Sequence, residues 1–158
     1  MFEKVLVPLD GSRVGEAALP VVRRMAQDRP PDRKMQVTLI GVITLLRHWV
    51  VVGEASAPVS YTEEELNIIK NRVTEYLDKA GEALKNENMD VNVLVRSGNA
   101  AEEILRAADL VKADLIAMST HGRSGLRRMA FGSITDKVLH GSRIPVLMVR
   151  APEGTKNE

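Results

Sequence analysis

The sequence predicts a doubly wound α/β domain, a parallel sheet held between two layers of helices. Two observations carry this reading. Short apolar, β-branched runs alternate along the chain with longer stretches of helical periodicity, and that alternation implies βαβ units with right-handed crossovers. The length, 158 residues, suits a single core that buries roughly 70% of the unfolded surface.

Val5-Leu6-Val7, with Leu9 after Pro8, form the first strand, which ends in the turn and capping residues Asp10-Gly11-Ser12. Over 14–27, Ala17, Ala18, Val21, Val22, Met25 and Ala26 recur at helical spacing, with Pro20 placed awkwardly inside the helix as a source of bending. Arg29-Pro30-Pro31-Asp32-Arg33 breaks that helix. Val37-Thr38-Leu39-Ile40-Gly41-Val42-Ile43 is nearly continuous in apolar character, as a strand covered on both faces would be. No period holds over 44–62, where Gly53, Ser56, Pro58 and Ser60 indicate a long loop with room for local structure around His48 and Trp49.

Thr62, with Glu65 three positions on, opens a long helix whose apolar stripe is Leu66, Ile69, Val73, Leu77, Ala80 and Leu84. Val91, Val93 and Val95 alternate with polar neighbours as a half-buried strand. Ser97-Gly98-Asn99 then opens a helix carrying Ile104, Leu105, Ala108 and Val111. Leu115-Ile116-Ala117-Met118 is a short buried strand, Gly132-Ser133 introduce a last helix through Leu139 that Gly141 stops, and Pro145-Val146-Leu147-Met148-Val149 close the sheet. The expected tally is five strands and four helices, in one domain over 1–151 followed by a polar tail over 152–158.

Composition narrows the function. Lys and Arg number 22 against 21 Asp and Glu, so no strong field draws the chain to nucleic acid or an anionic membrane. With no cysteine, thiolate catalysis, disulfides and zinc ribbons are excluded. Met1-Phe2-Glu3-Lys4 lead directly into the first strand without a signal-peptide pattern, and no apolar run approaches the ~20 residues that cross a bilayer. The expectation is a cytoplasmic protein with neither nucleic acid nor membrane as partner.

Sheets of this kind bind ligands outside the carboxyl ends of their strands, which singles out two loops. In Pro8-Leu9-Asp10-Gly11-Ser12, Asp10 suits a ribose hydroxyl or a hydrated Mg²⁺, and Asp10 or Ser12 suits equally well the plain task of capping the first helix. Over 119–133, a glycine-bearing loop leads into a helix whose first turn offers free N–H groups and a positive dipole end to an anion. There Gly132 lets a phosphate approach the backbone, and Ser133 and Thr135 supply hydroxyls. The same residues also read as a capping box of Ser133 with Asp136 that needs no ligand. Arg123, Arg127 and Arg128 suit either a triphosphate or a solvated face. Neither G-x-x-x-x-G-K-[ST] nor G-x-G-x-x-G occurs. His48, His121 and His140 lack metal-ligand spacing, which leaves His121 as a loop hydrogen-bond partner.

Ser119-Thr120-His121-Gly122, the nine residues 123–131 and Gly132-Ser133 resemble the universal stress protein signature G-x-x-G-x9-G-[ST], in the family's nucleotide-binding branch. Val5-Leu6-Val7-Pro8-Leu9-Asp10-Gly11-Ser12, Gly41-Val42-Ile43 and Ile144-Pro145-Val146-Leu147-Met148-Val149 extend the resemblance from Phe2 to about Arg150. One departure is Ser119, which stands at the family's first motif glycine and adds a side chain there.

The resemblance implies strand order 3-2-1-4-5 and one site built from both loops. It implies ATP with Mg²⁺: Asp10 at the ribose or the metal, Val42 at the adenine through its backbone, and Pro8 near the base. Met118 and Ser119 would line the nucleoside, with Gly122, Arg123, Gly132, Ser133 and Ile134 around the phosphates. It also implies a homodimer through the last strand over 145–149 and a nucleotide-responsive regulatory module of the stress response, acting on a protein partner the residues do not identify. No nucleophile–base pair faces the proposed phosphates, so slow hydrolysis at most is expected. The competing readings are a slow Mg-dependent ATPase or phosphotransferase using Asp10, and a nucleotide-free dimeric scaffold.

Overall fold

The computed structural model describes every residue except 28, 31, 46, 47, 53, 54, 86, 87, 121–131, 153, 154 and 156–158, and it describes 48–52 and 55–59 by their backbone. Its five-stranded parallel sheet is built from β1 (Lys4–Pro8), β2 (Met35–Ile43), β5 (Met89–Ser97), β6 (Leu115–Thr120) and β7 (Val146–Arg150). The spatial order is β5-β2-β1-β6-β7, which is 3-2-1-4-5 when only these strands are counted. Helices α1 (Leu19–Gln27), α2 (Glu63–Leu84), α3 (Ala100–Leu110) and α4 (Ser133–Gly141) cover it.

Alternation along β1 divides the core. Val5, Val7 and Leu9 pack on one face with Val22, Ala26, Leu39, Leu77 and Leu84. Leu6 packs on the other with Ile40, Ala101, Ile104, Ala107, Ile116 and Val138. Because both faces are covered, the central strands read as unbroken apolar runs, each fully buried Leu or Ile contributing about 1.5–3 kcal/mol. Gly41 shows how closely α2 approaches: a Cβ there would lie 2.6 Å from Val73 Cγ1.

The helix starts follow local chemistry. Thr62 and Glu65 form a complete capping box: the Glu65 amide donates to Thr62 Oγ1 at 3.2 Å and the Thr62 amide donates to Glu65 Oε2 at 2.8 Å. Asn99 caps α3 by accepting the Glu102 amide. Pro20 occupies the second position of α1, behind a 3-10 turn over Gly15–Ala18. It therefore sits in the first turn of the α-helix, where proline is tolerated, and the helix expected over 14–27 begins as a 3-10 turn and runs on without a gap as α-helix from Leu19.

The long loop expected over 44–62 instead holds an antiparallel hairpin, β3 (His48–Val52) with β4 (Ala55–Val59), in which Trp49 pairs with Pro58 and Val52 with Ala55. Val50-Val51-Val52 is a strand-forming run. Its partner carries Ser56 and Pro58, residues that signal loop in a sequence but are tolerated on a two-stranded ribbon with an open edge. The chain thus has seven described strands rather than five.

Candidate functional site

The direction of the chain reverses across the sheet between β1 and β6, the neighbours at its centre. Their ladder is short: Val5 lies opposite Leu115 and Leu6 opposite Ile116. β1 continues beside β2 to Pro8, and β6 beside β7 to Thr120. The two central strands therefore part toward their carboxyl ends, and this is where a doubly wound sheet offers a ligand crevice. Pro8 ends β1, Val42 lies one residue from the end of β2, and Met118 and Ser119 lie near the end of β6. The fold brings Pro8, Asp10, Val42, Met118 and Ser119 to one end of the sheet. Gly122 and Arg123, with His121, Arg127 and Arg128, lie outside the described residues.

Asp10 is exposed on the loop after β1. Its Oδ1 accepts both the Ser12 amide at 2.9 Å and the Ser12 hydroxyl at 2.6 Å, and Ser12 Oγ accepts the Gly15 amide at 2.9 Å. Gly11 holds φ +83°, in the left-handed region that glycine enters without a Cβ penalty. Ser12 Oγ thus satisfies an amide at the start of the 3-10 turn, as the capping reading expects, and Asp10 Oδ2 has no partner among the described residues. Gly15 is needed for space, since a Cβ on it would lie 2.6 Å from Asp10 Oδ1.

Ser119 joins the two loops. Its hydroxyl donates to the Gly15 carbonyl at 2.8 Å, so the side chain that replaces a glycine is turned onto the β1 loop. Met118 is buried beneath it.

At α4, Gly132 is the N-cap, and among the described residues no side chain bonds the free amides of the first turn. The first helical bond runs from the Asp136 amide to the Gly132 carbonyl at 2.9 Å. The Ser133–Asp136 capping box considered from sequence is absent: Ser133 lies inside the helix, where its hydroxyl does not accept those amides, and the Asp136 carboxylate lies 3.4 Å from His140 Nδ1. Gly132 has φ −55°, which suits any residue, and an added Cβ would meet no described atom within 4 Å. Neither backbone strain nor packing among the described residues calls for glycine there. Ser133 and Ile134 are exposed, and Thr135 is buried.

These features suit a phosphate at the helix end and a polar group or Mg²⁺ at Asp10. Among the described residues no three His, Asp or Glu side chains converge as a metal site, and Mg²⁺ bound with phosphates needs only one or two carboxylates. Hollows elsewhere lack this convergence. One of about 370 Å³ lies between α1 and α2, beside Leu19, Arg23, Ala80 and Leu84.

Three residues around the site are invisible to motif reading. Gly15 and Glu16 follow the Asp10 loop, and Tyr76 sits one residue before Leu77 of the α2 stripe. The Tyr76 hydroxyl donates to Glu16 Oε1 at 2.9 Å.

The universal stress protein family model matches residues 1–150. The chain belongs to the universal stress protein family. Universal stress protein MJ0577 of Methanocaldococcus jannaschii is 31% identical over 160 aligned positions, covering 95% of this chain and 96% of that protein. Universal stress protein YxiE of Bacillus subtilis is 29% identical, covering 95% of this chain and all of YxiE. The solved structure of MJ0577 superposes with a TM-score of 0.70 at 26% identity over 98% of this chain and 99% of that one. The same fold occurs in a universal stress protein in complex with cAMP, with a TM-score of 0.61 at 19% identity over 94% of this chain and 97% of that one. It occurs also in an Arabidopsis thaliana family protein with AMP bound, with a TM-score of 0.63 at 12% identity over 98% and 99%. No described helix of this universal stress protein is long and apolar enough to cross a membrane.

Proposed function

We propose that this universal stress protein binds an adenine nucleotide, ATP with Mg²⁺, at the carboxyl ends of β1, β2 and β6 and the start of α4, and acts as a nucleotide-responsive regulatory module of the stress response. The observation that carries the reading is Gly132: a glycine that neither backbone nor described packing requires, at a helix end whose amides no described side chain caps. A phosphate needs both features, because the free N–H groups and the dipole attract it and a Cβ would stand in its way. The family proteins with AMP and with cAMP bound support the ligand class.

In this reading Asp10 offers Oδ2 to the ribose or to Mg²⁺, which would neutralise phosphate charge. The Val42 backbone and Pro8 meet the base, and Met118 and Ser119 line the nucleoside. Ser133 and Ile134, with Gly122 and Arg123, surround the phosphates. Occupancy changes the surface that this end of the sheet offers to a protein partner. The module works as a homodimer in which β7, an edge strand, pairs with its twin.

The deciding experiment denatures freshly purified protein, identifies any released nucleotide by chromatography, and titrates the emptied protein with ATP, AMP and cAMP in the presence of Mg²⁺. The wild type should release or bind an adenine nucleotide, and Gly132→Val should do neither while melting within a few degrees of it. A silent wild-type titration with all three nucleotides refutes the reading.

A further inference from the structure

The loop bearing Asp10 is held internally by short-range bonds, those of Asp10 Oδ1 with Ser12 and of Ser12 Oγ with the Gly15 amide. Such bonds shape a loop without orienting it against the sheet. Orientation needs contacts from elements rigid in their own right, and the second of these, beside Ser119, comes from α2. The phenol of Tyr76 donates to Glu16 Oε1 at 2.9 Å across 60 positions of sequence. One hydroxyl thus holds the 3-10 turn that follows the loop, in which the Gly15 amide donates to Ser12 Oγ and Ser12 in turn donates to Asp10 Oδ1.

The anchor is firm at its other end. Tyr76 packs against the core cluster that includes Leu39 and Leu77, on a 22-residue helix whose start is closed by the Thr62–Glu65 box. Burial pushes the phenol well above its ordinary range, and the hydrogen bond and charge of Glu16, with the charge of Asp10, push it further. The hydroxyl therefore stays protonated at neutral pH and donates to Glu16.

We infer that Tyr76 is a positioning residue for Asp10: through Glu16 and the 3-10 turn bonded to Ser12 it fixes the direction of the carboxylate that, on the reading proposed above, meets the ribose or the metal. The functional half of this inference rests on that reading. The structural half does not, and the two are separable by experiment.

Tyr76→Phe keeps the ring and its packing and removes only the hydroxyl, while Glu16→Gln weakens the same link from the loop side. In ligand-free protein followed by amide hydrogen exchange, Tyr76→Phe should speed exchange at Ser12 and Gly15, the bonded amides of the loop, by roughly fivefold, the equivalent of one ordinary hydrogen bond. Core amides such as those of Leu39 and Leu77 should keep their rates. In calorimetric titration with ATP and Mg²⁺, Tyr76→Phe should weaken binding by a similar factor, with a smaller loss for Glu16→Gln. Combined with Asp10→Asn, Tyr76→Phe should add nothing further, because both act on one contact. Unchanged exchange at Ser12 and Gly15 overturns the inference whether or not nucleotide binds, and additive losses in the double variant overturn its functional half. A wild type that takes up no nucleotide removes the assigned role of Asp10, and the exchange rates still decide whether Tyr76 holds the loop.

Discussion

The hydroxyl of Ser119 donates to the carbonyl of Gly15 at 2.8 Å, joining residues 104 positions apart. This bond crosses the place where β1 and β6 part, so a side chain at the family's first motif glycine ties together the two loops of the candidate site. Ser119→Ala leaves the Gly15 carbonyl without this partner and should cost about 1 kcal/mol in urea denaturation. Ser119→Gly should cost more, since glycine in a strand adds roughly 0.5–1 kcal/mol of backbone entropy. Nucleotide affinity should change less than tenfold in either. A larger loss of affinity at unchanged stability would mean that the hydroxyl serves the ligand and not the loop.

Gly41 explains why a strand otherwise rich in β-branched residues carries a glycine near its carboxyl end. A Cβ there would meet Val73 Cγ1 at 2.6 Å and Leu77 Cδ1 at 3.4 Å, and Val73 is stiff about its χ1 bond. Gly41→Ala should therefore lower stability by about 1–3 kcal/mol through overpacking. Gly132→Ala, which meets no described atom, should move it by less than about 1 kcal/mol. Thermal melts of the two variants side by side check the contrast, and equal melting points would contradict it.

Glu103 is a buried carboxylate on the first turn of α3. It accepts Arg96 Nε at 2.9 Å from the edge strand β5 and Arg106 Nη1 at 2.6 Å from its own helix. The hydrogen bonds from Arg96 and then Arg106 hold its carboxyl below the ordinary value of 4.5. A depressed folded-state pKa stabilises the fold at pH values above the unfolded one, and the contribution is lost as pH falls through the folded value. Glu103→Gln should thus be clearly less stable than the wild type at pH 7, with the gap narrowing progressively as the pH falls below 4.5. Urea midpoints at pH 7, 5 and 3.5 measure this, and a gap that stays constant would show that the ion pairs do not stabilise the fold.

What the sequence made legible was local. The five sheet strands and α2 with its capping box follow from patterns within a few residues, such as Val5-Leu6-Val7 or Thr62 with Glu65. The hairpin was obscured because Ser56 and Pro58 are loop residues by type, and only their pairing with Val51 and Trp49 gives them a strand role. The site was half legible. Asp10 and Gly132 sit in recognisable turns, whereas the bonds of Ser119 to Gly15 and of Tyr76 to Glu16 span 104 and 60 positions and exist only because the topology stacks those elements. Arg96 and Glu103 are seven positions apart, yet a strand, a turn and a helix separate them, so no single period relates the two.

The proposed dimer can be tested at one backbone atom. The Ile116 amide donates to the Pro145 carbonyl at 3.1 Å, and the Ala151 amide donates to the Thr120 carbonyl at 3.0 Å. In a parallel ladder alternate residues face one neighbour, so Leu147 and Val149, falling between Pro145 and Ala151 at steps of two, direct their backbone groups to β6. Val146, Met148 and Arg150 direct theirs to the open edge. Pro at Met148 therefore removes an edge donor and leaves the β6–β7 ladder in place, which is where a strand tolerates proline. If β7 pairs with its twin, light scattering should show a dimer for the wild type and dissociation at least about tenfold easier for Met148→Pro, a change of about 1.4 kcal/mol. The circular dichroism of the variant should stay that of the folded chain. Truncation after Arg143 should give a monomer or misfolded material. A Met148→Pro protein that remains as fully dimeric as the wild type, or a native dimer of the truncated chain, places the interface on another surface.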